Sequence, residues 1–220
     1  TLSAQDYPTQ PISELELLLS TTQYDGFLQF FKVFTSESPW SIRVGYERYL
    51  YQYKKLSLSL PKPMLSILKV LKICNYLQPF FRLNSTYGLR FGTKQKSIFN
   101  DDFYCYGGYF FSILSIKCVK YLNDFYQNNP EIVEYYKSVI LPEESFIQTI
   151  LVNSKQFNLY NECKHYYDFS ETSHGHPAIL TEKDYNYMMQ KKYYFARKFD
   201  INIDSKILDF LDREFLVKSK

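Results

Sequence analysis

Residues 142–151, PEESFIQTIL, place two carboxylates straight after a proline and straight before an apolar helical run. A proline at the first helical position, followed by acids, is what the positive end of a helix favours without any chemistry. Helical projection at 100° per residue adds a second possibility. It sets Glu143 in the sector of Phe146, Ile147, Ile150 and Leu151, with Glu144 at its edge. A carboxylate turned toward a core loses solvent, its pKa rises, and it moves into the range of a general base. The stretch YYFARKFD (193–200) sets Arg197 and Lys198 between Phe195 and Phe199. Such a pair is either a solvated turn or an anion clamp, in which packed aromatics hold a lysine as a fixed point charge for phosphate. KHYYDFS (164–170) gathers His165, Tyr166 and Tyr167, as core aromatics or as a platform on which a sugar ring stacks. His174 and His176 form an HxH pair with no third metal ligand fixed by spacing, so a loop pair and a metal-dependent hydrolase both stay open.

Absent motifs narrow the chemistry. The sequence has no GxGxxG, Walker A or GxSxG. It has no Asp-x-Asp, the acidic metal bridge of many nucleotide-sugar transferases. Cys74, Cys105, Cys118 and Cys163 are scattered without a CxxC, which reads as buried free thiols. The formal net charge of +3 argues against nucleic acid, which calls for a concentrated basic stripe. The most apolar region, residues 56–77, is broken by Pro61 and Pro63 and carries Lys62, Lys69 and Lys72, short of a bilayer span. Asn84 opens one NST triplet, which decides nothing alone.

The elements that must position these groups follow from periodicity. The sequence predicts helices over 11–20, 64–77, about 115–126, after Pro142, near 182–191 and from Asp204 onward. The last presents Ile207, Leu208, Leu211 and Phe215 on one face. Strands are expected over 24–34 and within 103–114 around Gly107–Gly108, with polar loops over 83–102 and 153–181. Helices and strands in alternation imply an α/β architecture, and 220 residues without repeats or a long linker imply one domain. The 22 tyrosines and 19 phenylalanines, against 7 glycines, suit stacking on sugars.

Six stretches in this order, TLSAQDYP, YGGYFFSI, PEESFIQTILVNS, NECKHYYDFS, GHPAILTEKDY and YYFARKFD, resemble the core-2/I-branching β-1,6-N-acetylglucosaminyltransferase family, which includes the peptide O-xylosyltransferases. The Tyr- and Lys-rich style is similar to bacterial members. The resemblance implies a GT-A-like α/β glycosyltransferase that inverts the anomeric centre, uses no metal or other cofactor, and moves GlcNAc or xylose from a UDP-sugar donor to a glycan acceptor. It implies that Glu144 is the general base, with Glu143 standing where the family has aspartate. Lys198 then neutralises the diphosphate, with Arg197 beside it. The family's second cation has no arginine counterpart here, which leaves His176 or His174 to take its place. The family's acceptor-contacting aromatic pair maps onto His165 and Tyr167, the first without its tryptophan. In the family LSAQDYP lies mid-domain, so the resemblance implies a C-terminal catalytic and acceptor portion over 1–220. That portion lacks the N-terminal nucleotide-binding half and is poorly active alone. It further implies a cytoplasmic enzyme peripherally associated with the inner face of the membrane if bacterial, or a Golgi lumenal one if eukaryotic. The alternative is a non-catalytic carbohydrate-binding module.

Overall fold

A computed structural model describes residues 1–56, 72–85, 88–170, 177–190 and 193–215. These gather into two compact units, each assembled from separated stretches of chain. The first comprises residues 1–29, 109–115 and the part from 157 onward; the second comprises 30–108 and 116–156.

In the first unit, strand β1 (Tyr7–Pro8) pairs antiparallel with β11 (Phe195–Ala196), and β11 runs parallel to β10 (His165–Tyr166). A second small sheet has β2 (Gly26–Leu28) at its centre. It is antiparallel to β8 (Ser112–Leu114) and parallel to β9 (Leu159–Tyr160). Helix α1 (Ile12–Thr21) carries no buried side chain. Helix α8 (Lys206–Phe215) is the amphipathic helix expected from Asp204. Asp204 Oδ1 accepts hydrogen bonds from the Lys206 and Ile207 amides at 3.0 and 3.4 Å, filling orphan donors of the first turn. Its buried face, Ile207, Leu211 and Phe215, packs with Leu180, Met188, Ala196 and Phe199. Met188 comes from α7 (Tyr185–Gln190), which follows a 3₁₀ turn at Glu182–Asp184 started by a Thr181–Asp184 capping box.

In the second unit, β3 (Phe31–Lys32) pairs antiparallel with β7 (Tyr106–Gly107). A three-stranded antiparallel sheet has the order β4 (Tyr51–Lys55), β6 (Arg90–Lys94), β5 (Phe81–Asn84). Its helices are α2 (Ile42–Tyr49), α3 (Cys74–Leu77), α4 (Ile116–Asn128), α5 (Pro130–Lys137) and α6 (Phe146–Ser154). The core is aromatic: Tyr49, Tyr135 and Tyr136 are buried with Val33, Cys105 and Val139.

The architecture is mixed α/β with small sheets, and four expectations change in detail. The segment 153–181 is not one polar loop, since it includes the end of α6 and the strands β9 and β10. The single strand over 24–34 is two, β2 and β3, which belong to different units. Of the helix over 64–77, residues 64–71 lie outside the described part and Cys74–Leu77 is helical. The segment 83–102 is not one loop, since it includes the end of β5 and all of β6. Its lysines and arginines hid the strands, because a sheet with charged side chains carries no apolar alternation.

Candidate functional site

Pro142, Glu143 and Glu144 form a 3₁₀ turn of their own. Ser145, at φ −144° and ψ −37°, breaks the helical phase before α6 begins at Phe146. The projection that turned Glu143 inward therefore fails: Glu143 is exposed, Glu144 is half-buried, and Ser145 is fully buried. Ser145 Oγ donates to the Tyr106 carbonyl at 2.7 Å, and the Tyr136 hydroxyl donates to Thr149 Oγ1 at 2.9 Å. The Gly108 amide donates to the Glu144 carbonyl at 2.9 Å. Leu141, just before the turn, is held left-handed at φ 52° and ψ 55°. That conformation costs a non-glycine residue on the order of 1 kcal/mol and needs support from its surroundings. The buried Tyr49 hydroxyl supplies it by donating to the Leu141 carbonyl at 3.3 Å.

The Glu144 carboxylate is held from one side. Arg48 Nη1 donates to its Oε2 at 2.7 Å, and the Arg48 guanidinium itself lies 4.2 Å over the Trp40 ring. Oε1 has no hydrogen-bond partner among the described residues. Burial pushes the Glu144 carboxyl above its ordinary value, and the Arg48 charge and hydrogen bond oppose that rise without cancelling it. The result is a carboxylate fixed by one oxygen, with the other open to accept a proton. Arg48 was not singled out from the sequence, where it is one of several cations among the aromatics of 40–56. Replacing it has a signed consequence. Arg48→Ala removes the opposing charge, so any activity that needs ionised Glu144 shifts its acid limb to higher pH. A pH–rate profile of wild type and variant checks this, and an unmoved limb contradicts it.

The first unit holds the other predicted residues. Strand β11 buries Ala196, and the chain beyond it buries Phe199 in the α8 core. The peptide groups are pinned throughout: the Arg197 amide donates to Tyr166 O at 2.9 Å, and the Leu180 amide to Lys198 O at 2.8 Å. Lys198 is half-buried and makes no ion pair among the described residues. Arg197 Nε stands 3.7 Å from Asp6 Oδ1 and the guanidinium lies 4.8 Å over the Phe111 ring. Asp6, whose side chain is 2% exposed, also accepts from the Ser3 hydroxyl at 2.8 Å and faces His165 Nε2 at 3.8 Å. Its role had no sequence signal beyond its place in TLSAQDYP.

His165 is buried, its ring stacked between Phe111 at 4.6 Å and Phe195 at 5.2 Å. Neither ring nitrogen has a hydrogen-bond partner among the described residues. Burial pushes its pKa down to about 4, so the ring is neutral near pH 7. A depressed pKa means the unfolded chain binds the proton more readily. The stability contributed by neutral His165 is present above its ordinary 6.5 and is lost as pH falls toward about 4. Denaturant unfolding of wild type across that window is expected to show the loss, and His165→Phe to flatten it; parallel curves would refute this.

His165 and Tyr167 line a pocket of about 340 Å³ with Gln29, Glu162, Tyr166 and Tyr187. Its size and its mixture of rings and polar groups suit one sugar. Among the described residues, Gln29 Oε1 and the His165 nitrogens are buried hydrogen-bonding atoms without partners, of the kind that polar ligand groups satisfy. Tyr167 packs against Tyr109 at 4.6 Å, and burial raises its hydroxyl pKa. His174 and His176 lie outside the described residues. Among the described residues no three His, Cys, Asp or Glu side chains gather as a metal would require.

No family model matches the chain. Over 132 residues it is 30% identical to beta-glucuronosyltransferase GlcAT14B of Arabidopsis thaliana. A glycosyltransferase is thus a distant homologue of this chain. The match covers 59% of the chain and spans 30% of the length of that relative.

Proposed function

We propose that the chain is the catalytic and acceptor portion of an inverting, metal-independent glycosyltransferase that moves GlcNAc or xylose from a UDP-sugar to a glycan hydroxyl. The observation that carries this reading is the half-buried Glu144, fixed through Oε2 by Arg48 and open at Oε1, at the position where the family resemblance requires a base. The acceptor hydroxyl gives its proton to Glu144 Oε1 as its oxygen bonds to the anomeric carbon. The bond from that carbon to the diphosphate oxygen breaks, and its electron pair leaves on UDP. Lys198, with Arg197, compensates the charge that develops there, and His176 takes the second cation's place. Fixed cations in a water-poor site are worth far more than the same charges in water, which is how side chains can do a metal's work. Tyr167, with the pocket around it, receives the acceptor sugar, and His165 supports the pocket from within. We place the protein with bacterial members, at the inner face of the membrane. Among the described residues no helix is long and apolar enough to cross one.

The test is transfer from UDP-GlcNAc and UDP-xylose to a panel of glycan acceptors by the full-length protein in EDTA, followed by mass spectrometry. A product of donor-sugar mass is expected. Activity that appears only with an added divalent cation would overturn the metal-independent mechanism.

A further inference from the structure

The net charge of +3 conceals a strong segregation. Residues 41–96 contain eleven of the chain's 26 lysines and arginines and one of its 23 acids, Glu47. The described part of this stretch is largely the β4–β6–β5 sheet with α3 beside it. Among the described residues Lys54, Lys55, Lys72, Lys94 and Lys96 form no ion pair, and all but half-buried Lys72 are exposed.

The α3 and β5 end of this same sheet displays apolar side chains to solvent. Ile73, Tyr76, Leu77 and Phe80 are 56%, 72%, 78% and 71% exposed. They are presented on a rigid support. Asn75 Nδ2 donates to Leu83 O while the Leu83 amide donates to Asn75 Oδ1, both at 2.9 Å. Gln78 Oε1 accepts from the Phe80 and Phe81 amides at 2.7 and 3.0 Å, and the Tyr51 hydroxyl donates to Pro79 O at 2.7 Å. The Lys94 amide donates to Phe80 O at 2.8 Å, which ties this lysine's backbone to the apolar tip. Arg43 lies 3.6 Å over the Tyr76 ring.

A rigid tip of Ile, Tyr, Leu and Phe, on a sheet whose lysines form no ion pair among the described residues, matches the two demands of an anionic bilayer. Lysines are drawn to the headgroup charge, and the apolar and aromatic side chains bury at the headgroup–acyl boundary. A soluble polyanion would use the lysines and leave the tip in water. We infer that this face of the second unit docks the protein on an anionic lipid surface. The inference rests on the membrane part of the proposal above and not on glycosyl transfer. It is measured without turnover, so either can fail while the other stands.

The test is flotation of the full-length protein with vesicles of phosphatidylcholine containing about one third phosphatidylglycerol, against vesicles of phosphatidylcholine alone. Binding to the first and not the second is expected, weakening in high salt. A Tyr76→Ser, Leu77→Ser, Phe80→Ser triple variant and a Lys55→Gln, Lys94→Gln, Lys96→Gln triple variant are each expected to lose about tenfold or more in partitioning. All six side chains are exposed, apart from Tyr76's contact with Arg43, so both variants should unfold like wild type. No binding to the anionic vesicles, or binding unchanged in both variants, would overturn the inference. So would retention on RNA or heparin that displaces the vesicles and ignores the serine variant, which would assign the lysines to a soluble polyanion.

Discussion

Glu144→Gln is expected to abolish transfer while leaving donor binding close to wild type. Glutamine keeps the shape of the side chain and an oxygen for Arg48 Nη1, so the turn and its 2.7 Å contact have no reason to move. It cannot accept the acceptor's proton at the working pH. Loss of a general base costs about 10²- to 10⁴-fold in kcat, roughly 3–5 kcal/mol of barrier. The half-buried site places Glu144 toward the upper end, because water has poor access to substitute for the base. UDP-sugar titration of the variant separates binding from chemistry. Turnover near wild type would remove Glu144 from the mechanism. Glu143→Gln, at an exposed side chain with no place in the Arg48 contact, is the matched control and is expected to stay near wild type.

Lys198→Ala is expected to lose about 10²- to 10³-fold in kcat, roughly 2.7–4 kcal/mol, the scale of one preorganised donor removed from a developing anion. The side chain is half-buried and carries no ion pair among the described residues, so its charge is not spent within the fold. Its backbone is fixed by the Leu180 hydrogen bond and by the burial of Phe199, which makes it a positioned charge. The variant should also release UDP more readily, seen as weaker product inhibition. A change under about threefold would contradict the clamp. Lys198→Arg separates charge from shape, since a guanidinium keeps the charge in a different geometry.

How much of this was legible depends on where each interaction closes. Helix α8 was fully legible, because its apolar face repeats within ten residues and Asp204 caps it locally. The choice of Glu144 over Glu143 came from family resemblance. Helical projection pointed the other way, because nothing in PEES announces that Ser145 leaves helical φ and ψ and resets the phase. Arg48 was illegible as a partner: it reaches Glu144 from 96 residues away, and only the folded chain selects it from the neighbouring cations. The same holds for Asp6, which meets Arg197 and His165 through the pairing of β1 with β11 and of β11 with β10. His165, read as part of an aromatic platform, is buried. The imidazole lies buried between two phenylalanines, with Nε2 facing Asp6, an arrangement that local sequence does not describe. The sheet of β4, β5 and β6 was missed because its strands carry charge, and that charge proved informative about a surface.

The most direct test of the central claim is the anomeric configuration of the product. The full-length protein is incubated in EDTA with an α-linked UDP-sugar and a glycan acceptor, and the new linkage is read by proton NMR. A base at Glu144 that drives the acceptor oxygen onto the face opposite UDP predicts a β linkage, absent from the Glu144→Gln reaction. An α linkage, or a β product formed equally well by Glu144→Gln, would contradict the account.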